Sequence, residues 1–367
     1  MRVNKKWVII SITIFITLSL FFRKDIVLLA SNSDSRTVNE LLKAVAFVSG
    51  NSDLNLKIAY NYKNGNVYKK DINKARKYFI KAYDQNNVIA AYELYQLTKN
   101  TDPVKAFDYI YVSTYVDQSN ENSLIDMAKV YENGSGTNVD NLLAYKFYKK
   151  AFELNNFNMD SIMGMSRISL KEESLLPFAV SYLELASDLG SPIAKYNLGA
   201  LYYEGKIVSK DYLKSEDLLY SSYLAGNSDA ALSLGINFKD KVFKGDKNYT
   251  KAIFFLNESV NMGNIKAKYY LAEMYYKGYG TSRDIAKGES ILRELIGTEY
   301  EALASVKLLT FSNSEDSAKL IKSAMGTISV ESEENVAQVP VIVFDNINKD
   351  SNIFIKQQPV LLLSQEN

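Results

Sequence analysis

The side chains that carry most enzyme chemistry are absent from this chain. Its 367 residues include no histidine and no cysteine. Without imidazole there is no group whose ordinary charge change falls between pH 5 and 8, no Ser-His-Asp relay and no HExxH zinc site. Without a thiol there is no disulfide, no thiolate nucleophile and no Cys-based zinc site. Carboxylate, lysine, tyrosine and hydroxyl chemistry remain. The carboxylate pairs Glu172-Glu173 and Glu333-Glu334 are adjacent in sequence, so on a helix they point about 100° apart. General acid/base work needs two carboxylates converging on one bond. No GxGxxG, Walker or EF-hand pattern is present. The expectation is a non-enzymatic protein with no cofactor and no catalytic, cofactor-binding or metal-binding residue to nominate.

Recognition chemistry is better supplied. There are 27 tyrosines, whose rings suit sugar faces or protein anchors and whose hydroxyls hydrogen-bond. Tyr109, Tyr111 and Tyr115 stand off the repeat positions described below and are the better candidates for an exposed aromatic patch. Lys69, Lys70, Lys74, Arg76, Lys77 and Lys81 form a basic cluster, which reads as a solvated helix face or as a site for anionic lipid or acidic glycan. The chain as a whole is balanced, with 43 Lys+Arg against 42 Asp+Glu, and no field marks it for nucleic acid. Charge is uneven locally: residues 1–100 hold 16 basic against 7 acidic side chains, and residues 311–367 hold 4 against 8.

These residues are carried on a repeat. The segment from Lys195 to Gly205 (KYNLGALYYEG) recurs as Lys268 to Gly278 (KYYLAEMYYKG), and Ile58-Ala59…Tyr62…Gly65 and Met127-Ala128…Tyr131…Gly134 fall in the same register. Within a copy, Ala194, Leu198, Leu201 and Tyr202 lie at i, i+4, i+7 and i+8, one apolar stripe of a helix. Gly199 allows a neighbouring helix to approach. Gly205 tolerates the left-handed conformation that ends a helix. Asp71, Asp140, Asp211 and Asp284 then stand where a carboxylate caps the next helix, which carries its own stripe, as in Ala75…Tyr78-Phe79…Ala82. The closing positions read Asn86, Asn120, Asn155, Gly190, Gly226, Gly263 and Gly297, 34 to 37 residues apart, and each is expected to be left-handed. Tyr62, Tyr131, Tyr202 and Tyr275 are expected to pack between helices. Neither helix of a pair buries its stripe alone, so the copies must stack.

These motifs resemble the Sel1-like repeat family, a relative of the tetratricopeptide repeats, over about residues 53–297. The resemblance implies an all-α solenoid of antiparallel helical hairpins, about seven in number, that binds other proteins or sometimes glycans. The second and fourth copies have lost most signature residues, and the second has a shortened interhelix loop before Pro103. Residues 36–49, 301–310 and 317–325 have the pattern of capping helices, so the solenoid is expected to span 36–325.

The termini differ. Lys5 and Lys6 precede an uncharged run from Trp7 to Phe22, followed by Arg23 and Lys24. Sixteen residues give about 24 Å of helix, close to the roughly 30 Å of a hydrocarbon core. Residues 1–25 therefore read as a retained single-pass anchor in the inner or plasma membrane. The rival is a signal peptide cleaved near Ala30, which would make a secreted host-contact factor. The basic side chains before the run favour export of residues 26–367 to a periplasmic or other extracytoplasmic side. Residues 326–367 form a non-repeat tail with β-leaning runs at 339–344 and 353–355. The expected function is a membrane-tethered scaffold or adaptor for a partner protein or peptide, with an acidic-polysaccharide-binding envelope protein as the alternative.

Overall fold

The computed structural model describes Lys43, Ala46 and residues 50–240 and 248–312. Among these residues there are fifteen α-helices, one short 3₁₀ turn and no strand. The expected anchor at 1–25, the cap at 317–325 and the tail at 326–367 lie outside the described residues, as does most of the cap at 36–49. No helix among the described residues is long and apolar enough to cross a membrane.

The chain divides between Gly164 and Met165 into two compact bodies. The first holds three hairpins: α1 (Ser52–Asn64) with α2 (Ile72–Tyr83), α3 (Val88–Thr98) with α4 (Pro103–Val116), and α5 (Glu121–Asn133) with α6 (Asn141–Leu154). Helix α7 (Met159–Ser169) runs across the division. The second body continues with α8 (Leu176–Asp188), then α9 (Pro192–Glu204) with α10 (Tyr212–Leu224), α11 (Ser228–Asp240) with α12 (Tyr249–Asn261), α13 (Ile265–Lys277) with α14 (Ile285–Arg293), and finally α15 (Glu301–Ser312). We call the leading member of each pair an A helix and the second a B helix.

One local device builds most hairpins. The A helix ends at a glycine in the left-handed conformation, Gly65, Gly134, Gly205 or Gly278, with φ from 67° to 78°. The backbone N–H of the capping aspartate then donates to the carbonyl of the A-helix tyrosine: Asp71 to Tyr62, Asp140 to Tyr131, Asp211 to Tyr202 and Asp284 to Tyr275, at 2.9–3.0 Å. The aspartate carboxylate accepts from the first turn of the B helix, at Lys74, Leu143, Lys214 or Lys287. Where that residue is lysine, its ammonium lies over the same tyrosine: 4.1 Å for Lys214 on Tyr202 and 3.9 Å for Lys287 on Tyr275. Each tyrosine is thus fixed by its backbone and its ring, and the expected packing role is met. Tyr62 and Tyr131 are buried, and Tyr202 and Tyr275 are half-buried.

Small residues let A and B helices close. A methyl group on Gly199 would stand 3.0 Å from Leu219 Cγ, and one on Gly235 would stand 2.8 Å from Leu256 Cγ. In the last hairpin the arrangement inverts: Ala272 takes the A-helix position, and Gly288 on the B helix provides the space. Leu219 and Leu234 lie in one buried cluster of the second body, and Leu256 and Leu271 in another.

The expectation for the closing positions needs correction. Asn86, Gly190, Gly226, Gly263 and Gly297 have positive φ, but Asn120 and Asn155 do not. Asn120 is itself the N-cap of α5 and accepts from the Ser123 N–H. Asn155 is extended, and its side chain accepts from the Phe157 N–H, just as Asp117 accepts from Ser119. These two connections are Asx turns, in which the side chain rather than a left-handed residue satisfies the backbone. The second hairpin has the expected short link, with Asp102 capping α4 and Pro103 in its first turn.

Candidate interaction surfaces

The A helices place a row of polar side chains in register, and each reaches its neighbour one repeat away. In the first body the Tyr60 hydroxyl donates to Glu93 Oε1 at 2.9 Å, and Lys63 pairs with the other oxygen of the same carboxylate. Beside Glu93 on α3, the Tyr92 hydroxyl and the Gln96 amide both donate to Asp126 Oδ2 on α5, at 2.9 and 2.6 Å. From α5, Lys129 reaches Asp160 at 2.7 Å. Spacing explains the row: residues three and four apart share a helix face, and the repeat brings the same face round in the next A helix.

Burial sets the electrostatics. It pushes the Tyr60 phenol well above its ordinary range, and the Glu93 charge and hydrogen bond add to this. Tyr92 is raised in the same way by burial and then by Asp126. Both remain neutral donors, so each carboxylate is held by a phenol that does not ionise against it.

The second body has its own node. Glu273 on α13 pairs with Lys277 at 2.6 Å through one oxygen, and with Lys239 of α11 at 3.3 Å and Lys307 of α15 at 3.6 Å through the other. Burial alone would raise this carboxyl, but the lysines, Lys239 and Lys307 foremost, overcome that and hold it at about 2.

The B helices of the first body present a different surface. Tyr111 and Tyr115 are 44% and 43% exposed and stack at 4.2 Å between ring centroids. Phe107, Tyr131 and Phe147 extend the ring cluster. Tyr109 departs from the expected patch. It is 7% exposed and meets Tyr83 edge-on at 5.1 Å, because Ala106, Tyr109, Ile110 and Ser113 form the buried stripe of α4. In the basic cluster, Lys69, Lys70, Lys74, Lys77 and Lys81 are exposed. Arg76 turns away, and its guanidinium donates to the Leu97 carbonyl at 2.9 Å.

No cluster of acidic side chains among the described residues is arranged to hold a metal ion. Glu172 is the N-cap of the 3₁₀ turn Glu173–Leu175, with no side-chain capping bond. Glu93, Asp126 and Glu273 were not singled out by sequence reasoning. The usable signal was the repeat itself, since Tyr60 and Glu93 stand 33 residues apart.

A stack of helical hairpins with a shared capping device and a polar row on its A helices defines a helical-repeat protein. The Sel1 repeat model matches residues 53–87, 122–156, 192–227, 228–264 and 265–292, and the chain belongs to the Sel1 repeat family. The second copy, between the first two matches, folds as the helix pair α3 and α4 as well. The alginate biosynthesis protein AlgK of Azotobacter vinelandii is 35% identical over 95 residues, which is 26% of this chain and 20% of that protein. Among solved structures, c5321, a protective antigen of uropathogenic Escherichia coli with an SLR fold, is similar at 22% identity and a TM-score of 0.61. That similarity covers 79% of this chain and 64% of the other. A Sel1 repeat protein from Oxalobacter formigenes follows at 18% identity and a TM-score of 0.57, covering 78% and 80%. Both likenesses show the fold. The chain thus spans about a fifth of its curated relative and under two thirds of the antigen.

Proposed function

We propose that this protein is a non-catalytic scaffold that holds a partner protein or peptide along the polar row of its A helices. The observation that carries this reading is the chain of contacts Tyr60–Glu93, Tyr92–Asp126 and Lys129–Asp160. These groups are fixed before any partner arrives, so little side-chain ordering is charged to binding. The hydrogen-bonded carboxylates offer acceptors at repeat spacing, which suits backbone N–H and basic side chains of an extended segment.

The apolar run at 7–22, flanked by basic residues, supports tethering to the inner or plasma membrane with residues 26–367 exported. Secretion after cleavage near Ala30 is the competing outcome. The likeness to an alginate biosynthesis protein supports a setting in polysaccharide production. Residues 36–325 are proposed as one solenoid with its caps, and 326–367 as a separate tail.

The test is capture of the full chain from gently solubilised membranes, compared with a Glu93→Lys/Asp126→Lys variant. A stoichiometric protein partner present with the wild type and lost with the variant supports the reading. A partner retained by the variant contradicts it.

A further inference from the structure

The B-helix surface of the first body combines two features that no B helix among the described residues of the second combines. Helix α4 exposes a stripe of Val104, Tyr111 and Tyr115, and the helices on either side carry exposed lysines: Lys74, Lys77 and Lys81 on α2, and Lys146, Lys149 and Lys150 on α6. The three helices are joined side to side. Tyr83 meets Tyr109, Tyr115 meets Phe147 at 5.9 Å, and Lys150 donates to Gln118 just beyond α4 at 3.2 Å. Within these helices the acidic side chains are Asp108, exposed one turn from Tyr111, and Glu153, and the capping Asp71 pairs with Lys74 at 3.4 Å. In the second body, α8 has Glu184 and Asp188 with no basic residue, α10 has one lysine against two acids, and α12 has one of each; α14 has Lys287 and Arg293 against Glu289 but carries no aromatic residue.

We infer that this surface binds an acidic polysaccharide, with the Tyr111–Tyr115 pair packing on sugar rings and the flanking lysines pairing with carboxylates of the polymer. The inference stands apart from the A-helix reading, because it uses other residues. Charge and chemistry choose the occupant. A folded protein seated here would take six ammonium groups out of water and would have to match the five that Asp71 does not pair. A hydrated polymer with a carboxylate on each sugar meets them while they stay solvated. Its C–H faces cover the apolar parts of the exposed phenols, and its hydroxyls bond the phenol oxygens.

The full chain in mild detergent is titrated with polygalacturonate and with dextran of similar length, at low and high salt. The expected result is binding to polygalacturonate that weakens with salt, and little binding to dextran. A Lys146→Gln/Lys149→Gln/Lys150→Gln variant and a Tyr111→Ser/Tyr115→Ser variant should each bind about tenfold more weakly, while Lys195→Gln/Lys268→Gln binds normally. All these residues are at least partly solvent-accessible, and helix content by circular dichroism checks each fold. Equal binding to dextran, indifference to both first-body variants, or a preference for single-stranded DNA of equal length would overturn the inference.

Discussion

The ring of Tyr148 lies directly against the backbone of Gly164: a methyl group added there would stand 2.5 Å from Tyr148 Cζ. The phenol is fully buried, and its hydroxyl donates to the buried Glu132 at 3.0 Å. A B-helix side chain thus joins its own A helix to the next one. Gly164→Ala should destabilise the protein by about 2–3 kcal/mol, since neither ring nor backbone has room to yield. Tyr148→Phe removes one hydrogen bond from a buried carboxylate and should cost about 1–3 kcal/mol. Urea unfolding followed by circular dichroism measures both.

Two left-handed glycines separate conformational strain from collision. Gly190, at φ 92°, has open space where a methyl group would go, whereas one on Gly136, at φ 76°, would stand 2.1 Å from the Pro103 carbonyl oxygen. Gly190→Ala should cost about 1 kcal/mol, the ordinary penalty for a left-handed alanine. Gly136→Ala should cost clearly more, because backbone must move. Equal shifts in urea midpoint would contradict this packing.

The aspartate cap should be measurable alone. Asp211→Ala leaves the first N–H groups of α10 without the carboxylate that accepts from Leu213 and Lys214, and should cost about 1 kcal/mol. Asp211→Asn, which keeps the oxygen, should recover most of it.

Acid should act through Glu273. Its folded carboxyl sits at about 2 against an ordinary 4.5. A group lowered on folding stabilises above its unfolded value, and that stabilisation is lost as pH falls through the folded one. The gap corresponds to about 3 kcal/mol, fully present above about pH 5, mostly lost by about pH 2 and gone below it. Glu273→Gln should lower stability at pH 7 by that order, leaving three lysines without their shared carboxylate. It should also flatten the loss of stability between pH 4.5 and 2. An unchanged acid limb would show that Glu273 is not the group responsible.

Much of this fold is legible in the chain, because its devices are local. Asp71, Asp140, Asp211 and Asp284 announce themselves by position relative to the preceding glycine, and all four cap. Asn120 and Asn155 mislead because asparagine serves equally as a left-handed residue, an N-cap or an Asx turn. Which role it takes depends on neighbours such as Ser119 and Phe157. Tyr109 was readable as buried from the stripe Ala106, Tyr109, Ile110 and Ser113, but the tyrosine cluster suggested a surface. The polar row was hidden for a different reason. Glu93 and Asp126 look like ordinary solvated acids until the repeat places Tyr60 and Tyr92 against them.

Whether the A-helix row holds a protein partner is tested by comparing the species captured by the wild-type chain and by Glu93→Lys/Asp126→Lys, identified by mass spectrometry. One stoichiometric partner protein is expected with the wild type, and its loss with the variant, at unchanged helix content. A partner that survives the variant, or recovery of the chain with carbohydrate alone, would contradict that expectation.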